Sequence, residues 1–190
     1  MSSSFVHLHL HTEYSLVDGL NRIKPLATAV AEAGMPAVAL TDQSNLFAMV
    51  KFYRAMMAKG LKPIIGVDMW VQDSDSANQA SRLVLLSQNM AGYHNLTELI
   101  SKTYLEGQQQ GRPILQKDWL QGHTEGLIAL SGGREGVLGQ LLLSDKLDEA
   151  RAQADDWQGL FPERFYLELQ RTGRENESAY IHQAIELAIS

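Results

Sequence analysis

The chain has 190 residues, of which 45% are hydrophobic, a formal net charge of −6 and no cysteine. This size and apolar content suit one domain with a buried core, and the lack of cysteine excludes disulfides and thiolate metal ligands. No apolar run is long enough to cross a bilayer and no leader peptide stands at the amino terminus, so we expect a soluble cytoplasmic protein. Lysine and arginine are scattered along the sequence, which argues against direct DNA binding.

The first predicted element is an extended segment, residues 5–19, in which three histidines alternate with leucines. Because side chains of an extended chain alternate between two faces, His7, His9 and His11 are expected on one face. Two imidazoles on one strand face lie close enough to chelate a single ion. Asp18 near the end of the segment adds a carboxylate, which favours a metal site. The alternative is a set of hydrogen-bonded, partly buried histidines that bind no ion.

The rest of the chain alternates short apolar runs with stretches of helical periodicity. Apolar residues at helical spacing predict six helices, and β-branched or apolar runs predict five further strands. This alternation predicts a parallel sheet of α/β type, and the polar residues 73–81 predict a loop. The predicted helices are 22–33, 46–59, 93–108, 137–143, 147–160 and 175–190; the predicted strands are 36–40, 63–71, 83–87, 127–131 and 165–169.

Polar side chains recur at the ends of the predicted strands, where parallel α/β folds gather their chemistry. Asp42 and Gln43 follow the second strand. Asp68 lies in the third strand and Arg82 opens the fourth. Together with the histidines, these side chains suit a divalent metal and phosphate, as in a metal-assisted phosphoesterase. Structural explanations stay open, since Asp42 can instead cap the next helix and residues 131–133 (SGG) can form a tight turn.

A resemblance to a known family rests on five stretches, in this order: HLHLHTEYSLVDG, ALTDQSNLFAMVKFY, GLKPIIGVDMWV, RLVLLSQNMAGYHNL and GLIALSGGREG. They closely resemble the PHP (polymerase and histidinol phosphatase) domain at the amino terminus of bacterial DNA polymerase III alpha subunits. The resemblance covers essentially the whole chain and implies a distorted (β/α)7 barrel. Residues 1–190 would supply about the first six strands, as an N-terminal fragment of a larger polymerase subunit that stops before the barrel closes.

The resemblance also implies a metal site. Family members with an intact site hold up to three metal ions with His, Asp, Glu and sometimes Cys ligands, and some show phosphoesterase or exonuclease activity. By position, His9, His11 and Asp18 match ligands of the first motif, and Asp68 stands where the family has glutamate. These four residues are the candidate metal ligands for a remnant zinc, manganese or magnesium ion.

Other positions depart from the family pattern and indicate a degenerate site. Gln43 and Arg82 stand where the family has histidine, and Gly133 where many members have cysteine. Glutamine is a poor ligand for transition metals, glycine has no side chain, and arginine is permanently charged. We therefore expect no tightly bound metal and no catalytic residue, with the Arg82 guanidinium replacing the missing cation near Asp18 or Asp68.

The resemblance implies a role in DNA replication through binding. In the family this domain holds the proofreading exonuclease (epsilon) subunit of the replicase, so we expect a structural and docking module joined to the rest of the alpha subunit. Nucleotide polymerisation would belong to later domains of that subunit. Two alternatives stay open: an active metal-dependent phosphoesterase or exonuclease of the same family, and an amidohydrolase-type barrel. The latter also opens with His-x-His but leaves the four later stretches unexplained.

Overall fold

A computed structural model describes residues 5–16, 18–73 and 80–189 of the chain. Every predicted helix is present there, as is every predicted strand after the histidine segment. Most of the predicted loop, residues 74–79, and the last residue of the predicted final helix, Ser190, lie outside the described residues. The helices are α1 (Ile23–Glu32), α2 (Met49–Met57), α3 (Met90–Leu105), α4 (Val137–Leu142), α5 (Leu147–Leu160) and α6 (Glu177–Ile189); the strands are β1 (Ala37–Leu40), β2 (Lys62–Gln72), β3 (Ser81–Ser87), β4 (Gln108–Gln109), β5 (Arg112–Gln116), β6 (Leu127–Leu130) and β7 (Phe165–Tyr166).

The strands form one mixed sheet in the order β4-β5-β2-β3-β6-β7, with β1 paired to β2. β1 runs parallel to β2, and β7 runs parallel to β6, as predicted. β5, which was not predicted from the sequence, also runs parallel to β2. The prediction of a wholly parallel sheet is wrong at β3, which is antiparallel to both β2 and β6. Only residues 73–80 connect β2 to β3, and a parallel pair would need a longer crossover, usually a helix.

The histidine segment lies beside β1 without forming a regular strand. His7 makes an isolated parallel bridge with Val38, and the backbone N–H of Thr41 donates to the Leu10 carbonyl at 3.0 Å. His7, which was predicted on the same face as His9 and His11, is exposed and contacts the Phe5 ring edge-on. The segment thus extends the sheet at the position predicted for a first strand.

Side-chain alternation along β2 and β3 separates an apolar face from a polar site. Residues such as Met69 and Leu85 face a core shared with α3 and α5. The opposite face carries a smaller apolar cluster that includes Val84. Asp68 pairs with Val84, and Trp70 pairs with Arg82. The side chains of Asp68 and Arg82 therefore lie on that second face beside the cluster. In the described part of the chain, no helix is long and apolar enough to cross a membrane.

Candidate metal centre

His9 and His11 direct their Nε2 atoms toward the same carboxylate, that of Asp68. The Asp68 Oδ2 atom lies 3.2 Å from His9 Nε2 and 3.0 Å from His11 Nε2, and the two nitrogens are 3.3 Å apart. One donor atom from each residue lies within 4.8 Å of the other two. Two imidazole nitrogens and a carboxylate oxygen are a donor set that zinc takes in proteins. These three residues could therefore hold one divalent ion.

The second nitrogen of each histidine ring contacts a different carboxylate. His9 Nδ1 lies 2.6 Å from Glu168 Oε1, and His11 Nδ1 lies 3.0 Å from Asp18 Oδ1. Such outer carboxylates fix the orientation of imidazole ligands around protein-bound metals. Of the four predicted ligands, the structure brings together His9, His11 and Asp68. It places Asp18 against the other side of the His11 ring.

Glu168 is the site residue that the sequence prediction missed. Its backbone N–H donates to Ser131 Oγ at 2.9 Å, and its carbonyl accepts from the Tyr180 hydroxyl at 2.6 Å. The Gln170 amide donates to Glu168 Oε1 at 2.6 Å, whereas the buried Oε2 has no hydrogen-bond partner among the described residues. The one available signal was a lone carboxylate among apolar residues in the last predicted strand, at a strand end like the other polar residues.

Arg82 is a buried cation within the site, with 6% of its surface exposed. Its Nη1 lies 3.4 Å from Asp68 Oδ2, and its Nη2 lies 3.5 Å from Asp18 Oδ2. The Nε atom lies 3.7 Å from Glu135 Oε2, and the guanidinium lies 4.2 Å from the centre of the Trp70 ring. The prediction that this guanidinium lies near Asp18 or Asp68 is confirmed, since it reaches both.

Two further positions that depart from the family pattern make contacts of their own. With the amide oxygen of Gln43 turned toward the guanidinium, it accepts from Arg82 Nη1 and from Trp70 Nε1, both at 2.5 Å. Gly133 has a φ of 59°, and a Cβ there would lie 3.3 Å from the Gln170 side chain. Gln43 therefore binds the guanidinium, and Gly133 leaves room for the glutamine that supports Glu168.

Asp42 anchors the chain directly after the histidine motif. It is fully buried, and its Oδ1 accepts from the Thr12 backbone at 2.6 Å and from the Ser15 hydroxyl at 2.9 Å. Its Oδ2 accepts from the Thr12 hydroxyl at 2.7 Å. The carboxylate thus holds the turn that follows His11, which differs from the alternative role of capping the next helix.

The charges of the site compensate one another. Burial alone would lower the pKa of His9, but its hydrogen bonds with Asp68 and Glu168 outweigh burial and raise that pKa to about 10. Burial would raise the pKa of Asp68, whereas hydrogen bonds from His11 and His9 and the charge of Arg82 lower it to about 2. Opposite charges at this range favour the ionised form of each group. A protonated His9 and Arg82 therefore face the ionised carboxylate of Asp68.

Comparison with known proteins gives the family and close relatives. The family model described as PHP domain matches residues 7–172. DNA polymerase III subunit alpha of Pseudomonas aeruginosa is 53% identical over 188 residues, which is 99% of this chain and 16% of that protein. The subunits of the same name are 47% identical over 97% of this chain in Escherichia coli K12 and 46% identical over 97% in Vibrio cholerae, again over 16% of each protein. The chain thus spans about a sixth of the length of these relatives.

A solved structure supports the fold. A Bifidobacterium adolescentis protein assigned as a metal-dependent phosphoesterase superposes with a TM-score of 0.60, covering 98% of this chain and 85% of that one. At 12% sequence identity, this likeness concerns the fold alone. Together with the family match, it confirms the predicted α/β architecture, a distorted barrel of the PHP type. The chain belongs to the PHP domain family.

Proposed function

We propose that this chain is the PHP domain, residues 1–190, of a cytoplasmic DNA polymerase III alpha subunit. There it acts as a structural module and as the docking site for the proofreading exonuclease (epsilon) subunit in DNA replication. The relatives that carry the alpha subunit name support this parentage, at up to 53% identity among those compared above. Its partners are then the rest of the alpha subunit and the exonuclease subunit, and DNA-directed DNA polymerase activity belongs to the parent.

The observation that carries the structural role is the position of Arg82. Its guanidinium lies 3.4 Å from the same Asp68 oxygen toward which His9 and His11 point. Arginine stays protonated at every physiological pH, so it competes with a divalent cation for that oxygen. The donor set of His9, His11 and Asp68 fits one ion, which would act as a Lewis acid when bound. We infer that this remnant site binds zinc, manganese or magnesium weakly.

Docking is proposed on the outer surface of the domain rather than at the histidines. The site side chains are occupied with one another, and the net charge of −6 makes the chain unsuited to grip DNA. The test is calorimetry, with the exonuclease subunit titrated into the full-length alpha subunit and into its His11→Ala variant. Equal heats of binding for both proteins are expected. Absence of heat at high micromolar concentrations of both subunits would contradict the docking role.

A second candidate function is an active metal-dependent phosphoesterase or exonuclease. The convergence of two Nε2 atoms and Asp68 Oδ2, with carboxylates on both outer nitrogens, favours it. The test is hydrolysis of a phosphomonoester and of a short DNA strand with added manganese or zinc. A metal-dependent rate that His11→Ala abolishes would establish this function. Under the proposed structural role, wild type and His11→Ala give the same background rate.

A further inference from the structure

Helix α2 and the turn before it present an apolar stripe to solvent. The helix packs against α1 and β2 through its other side, where Phe52 and Met56 are fully buried. Spacings of three and four residues place the exposed apolar side chains along one side of the helix. This α2 stripe consists of Phe47, Val50, Tyr53 and Met57, which are 64%, 55%, 50% and 54% exposed.

The chain segment that carries the α2 stripe is positively charged. From residue 43 to residue 67 the chain contains four basic side chains and no acidic one, although the chain as a whole carries a net charge of −6. Lys51, Arg54, Lys59 and Lys62 are all exposed. Lys51 contacts the Tyr14 hydroxyl, and the other three form no ion pair within residues 5–16, 18–73 and 80–189. Their charges are therefore free to meet a partner.

We infer that the α2 stripe binds an acidic amphipathic segment of a partner protein. Single exposed apolar residues are ordinary, but an aligned row of four with a polar rim is typical of an interaction surface. An apolar row at helical spacing matches partners that dock by residues spaced three and four apart. The exposed basic side chains of this segment, Lys51, Arg54, Lys59 and Lys62, form a basic rim. This rim selects carboxylates on the partner and steers its approach.

A nucleic acid fits this surface less well. Single-stranded chains bind on successive aromatic faces on which bases stack, whereas in the α2 stripe Val50 separates the rings of Phe47 and Tyr53, and Met57 follows them. The inference deepens the docking part of the proposed function and rests on it only for the identity of the partner subunit. The chemistry of the α2 stripe is independent of which subunit binds.

The test uses the full-length alpha subunit and a fluorescein-labelled helical peptide of about 18 residues, read by fluorescence anisotropy. The peptide carries leucines at spacings of three and four residues and glutamates elsewhere. A matched peptide carries lysine in place of each glutamate. The acidic peptide is expected to bind at least tenfold more tightly than the basic one, and its binding should weaken as salt rises from about 0.05 to 0.5 M.

Two double variants and one control locate the contact. Val50→Ser with Met57→Ser removes apolar area, and Arg54→Glu with Lys62→Glu reverses the rim charge; each is expected to weaken acidic-peptide binding at least tenfold. All four side chains are exposed, so the fold should survive, and circular dichroism checks this. The control is Leu105→Ser at the end of α3, which removes a comparably exposed apolar side chain and should leave binding unchanged.

The outcomes separate the inference from the proposed function. Equal binding of both peptides, or acidic-peptide binding that neither double variant weakens, would overturn the inference. Tighter binding of a short single-stranded DNA, lost on rim-charge reversal, would also overturn it in favour of nucleic acid. Exonuclease binding that persists while peptide binding at α2 fails would leave the proposed docking function standing. Acidic-peptide binding at α2 with no exonuclease binding would uphold the inference and reject that function.

Discussion

Replacing Arg82 by alanine should destabilise the domain by about 3 kcal/mol. Asp68 is only 1% exposed, so its charge has little access to water. Arg82 Nη1 lies 3.4 Å from Asp68 Oδ2. At that separation and an effective dielectric constant of 20, the Coulomb attraction is about 5 kcal/mol. The contact with Asp18 adds less, because that carboxylate is 40% exposed and solvent screens it.

The expected loss in free energy of unfolding is smaller than the Coulomb attraction for two reasons. Burying the guanidinium costs desolvation free energy, which returns when Arg82 is removed. Asp68 also keeps its hydrogen bonds with His9 and His11 in the variant. The expected loss therefore lies at the low end of the 3–5 kcal/mol typical for removing one partner of a buried ion pair. Arg82→Ala also removes the contact between the guanidinium and the Trp70 ring, which adds to the destabilisation.

The assay is urea unfolding followed by tryptophan fluorescence, with Arg112→Ala as the matched control. Arg112 is exposed and lies 5.2 Å from the same Trp70 ring, so its removal should change stability by less than about 0.5 kcal/mol. The double variant Arg82→Ala, Asp68→Asn should lose less than the sum of the single variants, since the amide needs no counter-charge. Arg82→His should recover part of the loss when zinc is added. A loss under about 1 kcal/mol for Arg82→Ala, or strict additivity with Asp68→Asn, would refute this reasoning.

Three further predictions concern residues that hold the framework. Asp42→Ala should cost about 3 kcal/mol in urea unfolding, because it leaves a buried backbone N–H and two hydroxyls without their acceptor; a loss under about 1 kcal/mol would contradict its anchoring role. Hydrogen bonds from the Thr172 backbone and hydroxyl lower the pKa of Glu177. The ionised Glu177 therefore stabilises the folded state above its unfolded pKa, and this stabilisation disappears as pH falls through the folded pKa. Glu177→Gln should accordingly lower the melting temperature at pH 7, and this difference should disappear as pH falls through the lowered pKa of Glu177; a difference that persists once Glu177 is protonated would contradict the assignment. A Cβ at Gly92 would lie 1.9 Å from a backbone carbonyl oxygen, whereas one at Gly159 would meet nothing within 4 Å in the part of the chain that the structure describes. Gly92→Ala should therefore cost about 2–3 kcal/mol and Gly159→Ala should be neutral or stabilising, and equal effects would show that the close approach is unimportant.

Much of the fold was predictable because its signals are local. Helical periodicity and breaker residues predict α5 with the bounds the structure has, and most other elements to within a few residues. The direction of β3 was not predictable in this way, since it depends on the connection rather than on the strand. The hairpin of β4 and β5 was missed because Gln108 and Gln109 are polar and the helical pattern runs into them. The two strands are joined by a tight turn at Gln110 and Gly111, both of which have positive φ.

Part of the candidate site was likewise predictable from local sequence, and part was not. His9 and His11 follow from the alternation of the first extended segment, and Asp68 from its place in the third predicted strand. The contact of Asp18 with the Nδ1 atom of His11 could not be read from sequence, since spacing indicates reach and not which nitrogen is met. Glu168 is 159 positions from His9 along the chain. No local pattern connects residues so far apart, so only the folded structure brings them together.

We propose that side chains of this PHP domain, Arg82 above all, take the place of bound metal. Elemental analysis of the purified full-length alpha subunit, dialysed without chelator, tests it most directly. We predict less than one tightly bound transition-metal ion in the PHP domain, measured as the difference between wild type and a His9→Ala, His11→Ala variant. Two or three zinc or manganese ions lost in that variant, together with phosphoesterase activity that His11→Ala abolishes, would contradict the claim.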